Sequence, residues 1–282
     1  MNDSHQNRTK PILVLGATDK TGRRVVERLQ TRGVPVRAVS RTTEISFDWT
    51  DQATWSPALR GARSAYVTFQ PDLAVPGANE AIRAFSTLAV ESGLEHLVLL
   101  SGRGEPEAEV CEQTVQEAGV DWTILRSSWF SQNWSESFLL EPVLAGEVVM
   151  PAGEIPEPFV DADDIADVAV AALTQEGHAG QLYELTGPRM MTFPEAVAEI
   201  SRATGRQIRY HQVSPEQFSN GLADHGVPAD FVWLLDYLFT TVLDGRNAHL
   251  ADGVQRALGR EPIDFADYVR ATSGTETWKA SD

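Results

Sequence analysis

The chain has 282 residues, 42% of them hydrophobic, which is enough apolar material for a sizeable core and too much for a disordered chain. With 40 acidic against 23 basic residues the formal charge is −17, a balance that repels a phosphate backbone or an anionic membrane and argues against nucleic acid as a direct ligand. Cys111 is the single cysteine, so neither an intrachain disulfide framework nor a cysteine metal site is available, and a reducing cytoplasm fits.

In chain order, residues 1–10 are polar, lack an apolar signal core and read as a flexible tail. No later stretch approaches the ~18 to 20 apolar residues of a membrane span, so no membrane association is expected. Short continuous apolar runs follow at 12–15, 65–69, 97–100 and 122–125, with 36–39 a weaker fifth and 45–47 a candidate sixth. Continuous runs fit strands buried on both faces of a parallel sheet. Between them, 21–32 places Val25, Val26 and Leu29 on one helical face, and 78–92 places Ile82, Phe85, Leu88 and Ala89 on another. Gly33 and Gly93 follow as stop signals. This alternation predicts an α/β fold with a doubly wound parallel sheet.

After Arg126 the rhythm changes. Glycine and proline interrupt 141–158, 159–161 reads as a short strand, Asp163 and Asp164 open a helix through Leu173, and 182–185 gives another strand. From Thr192 the chain is mostly helical. Thr192 with Glu195, and Ser214 with Gln217, have capping-box spacing. Residues 231–243 read as a buried amphipathic helix. The expected division is a nucleotide-binding domain of 11–130 plus 155–188, and a smaller, mostly helical lobe of 131–154 plus 189–282 over its carboxyl edge.

The strongest motif is Gly16-Ala17-Thr18-Asp19-Lys20-Thr21-Gly22, directly after the first strand and running into a helix. The first glycine makes the tight turn, and the last lets helix and strand pack closely. Free N–H groups at the helix start attract a pyrophosphate. Together these point to a Rossmann-type dinucleotide unit. Asp19 stands where a middle glycine would let the backbone approach the phosphates. At about 4 Å and an effective dielectric near 20, two like charges cost at most on the order of 4 kcal/mol. The figure is a ceiling, because Asp19 could turn away or take a proton; it could also cap the helix itself and occupy the anion site, and NADP(H) binding is expected to be weakened or lost. Ser40 and Arg41 follow the second strand, where a basic residue accommodates the 2′-phosphate of NADP; a plain surface arginine is the alternative. Asp48 either faces the adenine or belongs to a turn.

The sequence Gly16-Ala-Thr-x-Lys-Thr-Gly22-Arg-Arg-Val25 resembles the opening of NmrA-like proteins, a branch of the atypical short-chain dehydrogenase/reductases, particularly actinomycete NAD(P)H-binding members. Leu99-Leu100-Ser101, Trp122 to Asn133, Pro158 to Ala166 and Tyr183 to Pro188 extend the likeness over about 11–268. The resemblance implies a Rossmann domain, a small helical lobe and a ligand cleft between them. By position, Gly16, Thr18, Lys20, Thr21 and Gly22 would cradle the phosphates and Arg41 would select NADP. Thr68, Phe69 and Gln70 would lie beside the adenosine and ribose. Ser101 and residues 127–130 would approach the nicotinamide, with Trp129, Phe130 and Asn133 on the substrate side. Such proteins include quinone, dye and isoflavone-type reductases, redox-sensing regulators without turnover, and enzymes that couple aromatic polyketides.

Besides Asp19, one further departure stands out. None of Tyr66, Tyr183, Tyr210, Tyr237 and Tyr268 has a lysine four positions later, so the Tyr–Lys acid–base pair of short-chain dehydrogenases is missing. Asp161, Asp163 and Asp164 suit helix capping better than a metal site. The six histidines lack paired metal spacing; His211 and His225 are either acid–base groups or solvated loop residues. Aromatic density around Trp129, Phe130 and Trp134 suggests a flat ligand, core packing or a subunit contact, which leaves a homodimer open. Arg103 reads as a mobile cation for a ligand carboxylate or phenolate. The leading expectation is an NADP(H)-linked oxidoreductase acting on a quinone or other aromatic metabolite. The alternatives are a non-redox enzyme of secondary metabolism with a disabled nucleotide site, and a sensor of NADP(H) or a metabolite.

Overall fold

The computed structural model describes residues 9–279, so most of the expected tail lies outside the described residues. The apolar runs form strands β1 (Ile12–Val14), β2 (Val36–Ala38), β3 (Ser64–Val67), β4 (His96–Gly102) and β5 (Asp121–Ser127); β6 (Glu147–Met150), β7 (Gln181–Leu185) and β8 (Arg209–Gln212) follow. The helices are α1 (Lys20–Thr31), α2 (Trp55–Leu59), α3 (Ala78–Glu91), α4 (Pro106–Gln116), α5 (Asn133–Glu136), α6 (Leu140–Ala145), α7 (Ala162–Thr174), α8 (Phe193–Thr204), α9 (Pro215–Asp224), α10 (Ala229–Tyr237), α11 (Gly253–Leu258) and α12 (Phe265–Ser273).

Six strands make one parallel sheet in the order β2-β1-β3-β4-β5-β7. This is the doubly wound α/β class. Strand order reverses between β1 and β3, and open parallel sheets bind ligands beyond the carboxyl ends at such a point. Helices α1 and α3 end where expected, with Gly33 and Gly93 at φ of +67° and +80°, a conformation that a β-carbon disfavours. Helix α1 packs on α7 and α3 on α4.

The chain divides into two compact units: Met1–Ser127, Ala162–Leu185 and Asp252–Arg260 in the first, and Ser128–Asp161, Thr186–Ala251 and Glu261–Asp282 in the second. The sequence division keeps 189–282 together, whereas Asp252–Arg260 joins the sheet unit. Gly253 lies against the Glu184 backbone, where a β-carbon would overlap the carbonyl oxygen. Arg260 donates to Asp164 at 2.5 Å and to Asp167 at 2.7 Å. Asp163 takes Arg24 and Arg28, so these carboxylates clamp α7 to α1 and to the α11 segment. No group of acidic, histidine and cysteine side chains suited to a metal occurs among the described residues.

The second unit is mostly helical, around a core of Trp134, Phe159, Phe193, Phe239 and Phe265. Both predicted capping boxes are present, at Thr192 with Glu195 and Ser214 with Gln217. Other local expectations are corrected. Residues 45–47 and 159–161 supply only isolated bridges, Ser40 to Ser46 and Phe130 to Val160. Strands β6 and β8 form a separate parallel pair; only alternate residues of β6, Val148 and Met150, are buried, which makes its apolar signal short. The amphipathic helix expected at 231–243 ends as α10 at Tyr237 and continues as a π-turn over Leu238–Val242. No helix among the described residues is long and apolar enough to cross a membrane.

Candidate functional site

Strand β1 leads into a turn held by three backbone hydrogen bonds. Leu15 N–H donates to Tyr66, Ala17 N–H to Val39 and Asp19 N–H to Gly16, so the loop bonds to the chain at both neighbouring strands. Gly16 sits at φ +61°. A β-carbon on Gly22 would overlap the Gly16 carbonyl, so the first turn of α1 lies directly on the loop. The outer glycines thus have the close-approach roles the motif requires.

Beside this loop, within the first unit, lies a cavity of about 360 Å³, within the size range of small-molecule sites. The loop contributes Gly16, Thr18 and Asp19. The segment after β2 contributes Ser40, Arg41, Thr42, Phe47, Asp48, Trp49 and Thr50, and the segment after β3 contributes Thr68, Gln70 and Pro71. Ser40 N–H donates to Thr43 Oγ1 at 2.7 Å, and the Ser40 and Thr42 hydroxyls lie 3.2 Å apart, which shapes the turn carrying Arg41. Arg41 is exposed and its guanidinium makes no ion pair among the described residues. Trp49 donates its indole N–H to Thr68 O at 2.9 Å and packs on Phe69 at 4.8 Å between ring centroids. Asp48 both lines the cavity and makes a turn: its Oδ1 accepts from Thr50 N–H and from the Thr50 hydroxyl, each at 2.8 Å, and these bonds lower its pKa.

Asp19 is the N-cap residue of α1, yet its side chain makes no capping bond. Self-capping, one of the outcomes expected for it, does not occur. Its Oδ2 instead accepts from Gln70 Nε2 at 2.5 Å. Burial pushes the carboxyl above its ordinary range, while Lys20, Arg41 and Arg23 pull it back.

The remaining site candidates separate. Lys20, Thr21 and Gly22 form the start of α1, with Thr21 buried, and Phe69 lies behind Trp49. Ser101 donates to Glu112 Oε1 at 2.6 Å, and Arg126 holds the same carboxylate at 2.5 and 3.0 Å, so the Ser101 hydroxyl proton is committed inside the sheet unit. Arg103 is not a mobile cation: it is 4% exposed and its Nε donates to Glu184 at 3.3 Å. Trp129, Phe130 and Asn133 belong to the second unit. There Trp129 stacks on Phe239 with centroids 5.0 Å apart and meets Phe193 edge-on, Phe130 bridges to Val160, and Asn133 opens α5. His211 is exposed beside Glu147, and the exposed His225 ring bonds to the Gly221 carbonyl.

Sequence reasoning passed over Thr42, Phe47, Trp49, Thr50 and Pro71 as cavity residues. The signal for the aromatic pair was the Phe47-Asp48-Trp49 cluster after a weak apolar run. Also unforeseen is the buried carboxyl of Glu105, near the half-buried Asp72. Burial and the Asp72 charge push Glu105 well above the usual carboxyl range. Burial likewise pushes the Cys111 thiol up to about 12, which makes it inert.

The NmrA-like family model matches residues 108–256. An NAD(P)H azoreductase of Xenophilus azovorans is 32% identical over 285 residues, covering 92% of this chain and 97% of the relative. A (4-alkanoyl-5-oxo-2,5-dihydrofuran-3-yl)methyl phosphate reductase of Streptomyces griseus is 32% identical over 286 residues, covering 91% and 96%. Among solved structures, an NADPH-dependent quinone oxidoreductase of Escherichia coli superposes with a TM-score of 0.78 at 22% identity, over 92% of this chain and 99% of that one, a likeness of fold. The fold, the glycine-bounded loop and these matches lead to one conclusion: the chain belongs to the NmrA-like family.

Proposed function

We propose that this protein is an NADP(H)-linked oxidoreductase that reduces a flat aromatic acceptor, a quinone in the first instance. The observation that carries the reading is the glycine-bounded loop at the β1/β3 switch point opening onto a cavity edged by Arg41. Those residues suit a dinucleotide. Gly16 and Gly22 keep β-carbons out of the loop, and the start of α1 is left uncapped by side chains, so its N–H groups can take a pyrophosphate. Arg41, with Ser40 and Thr42, suits a 2′-phosphate. Thr68, Gln70 and the Trp49 indole wall the adenosine end. The Asp19 carboxyl, standing over the loop backbone, does not fit a pyrophosphate there in its ionised form.

When bound, the cofactor would supply a hydride, and the loop residues with Ser40 and Arg41 would bind and orient it. Burial pushes the phenols of Tyr66, Tyr210 and Tyr268 up, the opposite of what a Tyr–Lys pair does. That favours acceptors such as quinones, whose reduction needs little proton assistance. The NAD(P)H azoreductase relative supports a nicotinamide-linked reduction, and the furanone methyl phosphate reductase relative supports a reduction.

The test is NADPH oxidation against a panel of quinones and azo dyes. The expected result is turnover of at least one quinone, faster with NADPH than with NADH. Asp19 motivates a second reading, a sensor, for which the outcome is nucleotide binding without turnover of any acceptor. Retention of an aromatic ligand with no nucleotide bound would instead indicate a non-redox enzyme.

A further inference from the structure

The Asp19 carboxyl is fixed by geometry as well as by sequence. Oδ2 lies in the space that a β-carbon on Gly16 would need, so the group stands over the backbone of the phosphate loop. It accepts from Gln70 Nε2 at 2.5 Å, it does not cap α1, and it lines the same cavity as Arg41. One oxygen is therefore tied to an amide while the group as a whole borders the cavity. An ionised carboxylate offers a phosphate only acceptors. A protonated one keeps Oδ2 on Gln70 and presents an O–H donor on its other oxygen.

We propose that Asp19 takes up one proton from solvent when a nucleotide pyrophosphate binds to this loop, which makes affinity fall as pH rises. The proposal rests on the nucleotide reading above. Nothing is oxidised or reduced in this step; one proton and one nucleotide join the protein. The charged and titratable groups facing Asp19 are Lys20 and Arg23 on α1, Arg41 after β2 and the Tyr66 phenol on β3, with Asp48 on the same cavity. The three cations favour the ionised form, but burial is the larger influence and already raises the carboxyl before any ligand arrives. Phosphate charges push in the same direction. Between the free and the bound pKa, a one-proton linkage weakens binding about tenfold per pH unit.

The experiment is calorimetric titration of NADP+ into the full chain from about pH 6 to 8.5, in buffers of different ionisation enthalpy, for wild type, Asp19→Asn and Asp19→Gly. The ligand's own 2′-phosphate titrates near pH ~6 in every case and cancels in the comparison. Wild type is expected to take up about one more proton per nucleotide than either variant, with a dissociation constant that climbs with pH while theirs stays flat. Using both variants covers the case in which one fails to fold. Equal proton uptake and parallel pH profiles, with nucleotide bound in all three, would overturn the proposal and leave the nucleotide reading standing. Absence of NADP+ binding in wild type and in both variants at every pH would overturn the nucleotide reading itself.

Discussion

A methyl group at position 22 would overlap the Gly16 carbonyl, because α1 begins directly against the loop that precedes it. Neither backbone segment can yield easily: Gly16 is held by its own turn, and α1 is clamped through Arg24 and Arg28 to Asp163 and Asp167. Gly22→Ala is therefore expected to lower stability by about 1–3 kcal/mol, the usual range for overpacking. Urea unfolding and NADPH titration should both register it, and unchanged values in both would show that the loop tolerates a side chain. At this scale the sequence was legible where spacing alone decides, as in the two outer glycines after a buried run. Pairings between distant residues were not. Gln70 reaches Asp19 from the end of another strand, and Glu184 takes Arg103 out of solvent from β7. Arg103 looked mobile because glycines flank it; burial is decided by what packs over it, and local sequence does not carry that.

Across β4, β5 and β7 runs an ionic network that the apolar pattern conceals. Glu112 on α4 is 2% exposed and holds both Ser101 and Arg126, while Arg126 also lies 3.4 Å from Glu184. Removing one member of a buried pair strands its partner's charge and typically costs about 3–5 kcal/mol. Arg126→Met is expected to fall in that range by urea unfolding, and Glu112→Leu combined with Arg126→Met to recover much of it. Equal losses in the single and double variants would show that the pair contributes packing rather than charge. Helix ends and central strands were readable as elements, because caps, glycine stops and doubly buried runs are local signals. The β6–β8 pair was not, since a short strand with one buried face offers only Val148 and Met150. The reverse error at 45–47 has the same origin: Phe47 is buried by Trp49, Trp55 and Phe85 rather than by strand neighbours.

For the whole molecule the question is how a chain of charge −17 attracts an anionic cofactor. Long-range attraction is not available, so local cations must do it. Around the cavity these are Arg41 at its edge, with Lys20 and Arg23 acting on Asp19. The fold class was readable from the sequence because strand–helix alternation recurs along the chain, and the glycine-bounded turn because it follows a buried run directly. The division into units was readable only in outline, since Asp252–Arg260 joins the sheet unit through contacts far away in sequence. The central claim is that this cavity holds the phosphorylated adenosine end of NADP(H), and comparing NADPH and NADH binding in wild type and Arg41→Ala tests it most directly. A charge-assisted bond to phosphate contributes about 1.5–3 kcal/mol. Wild type is accordingly expected to prefer NADPH by about tenfold or more, and Arg41→Ala to lose that preference while still binding NADH. An unchanged NADPH preference in Arg41→Ala, or no binding of either nucleotide to wild type at pH 6, would contradict it.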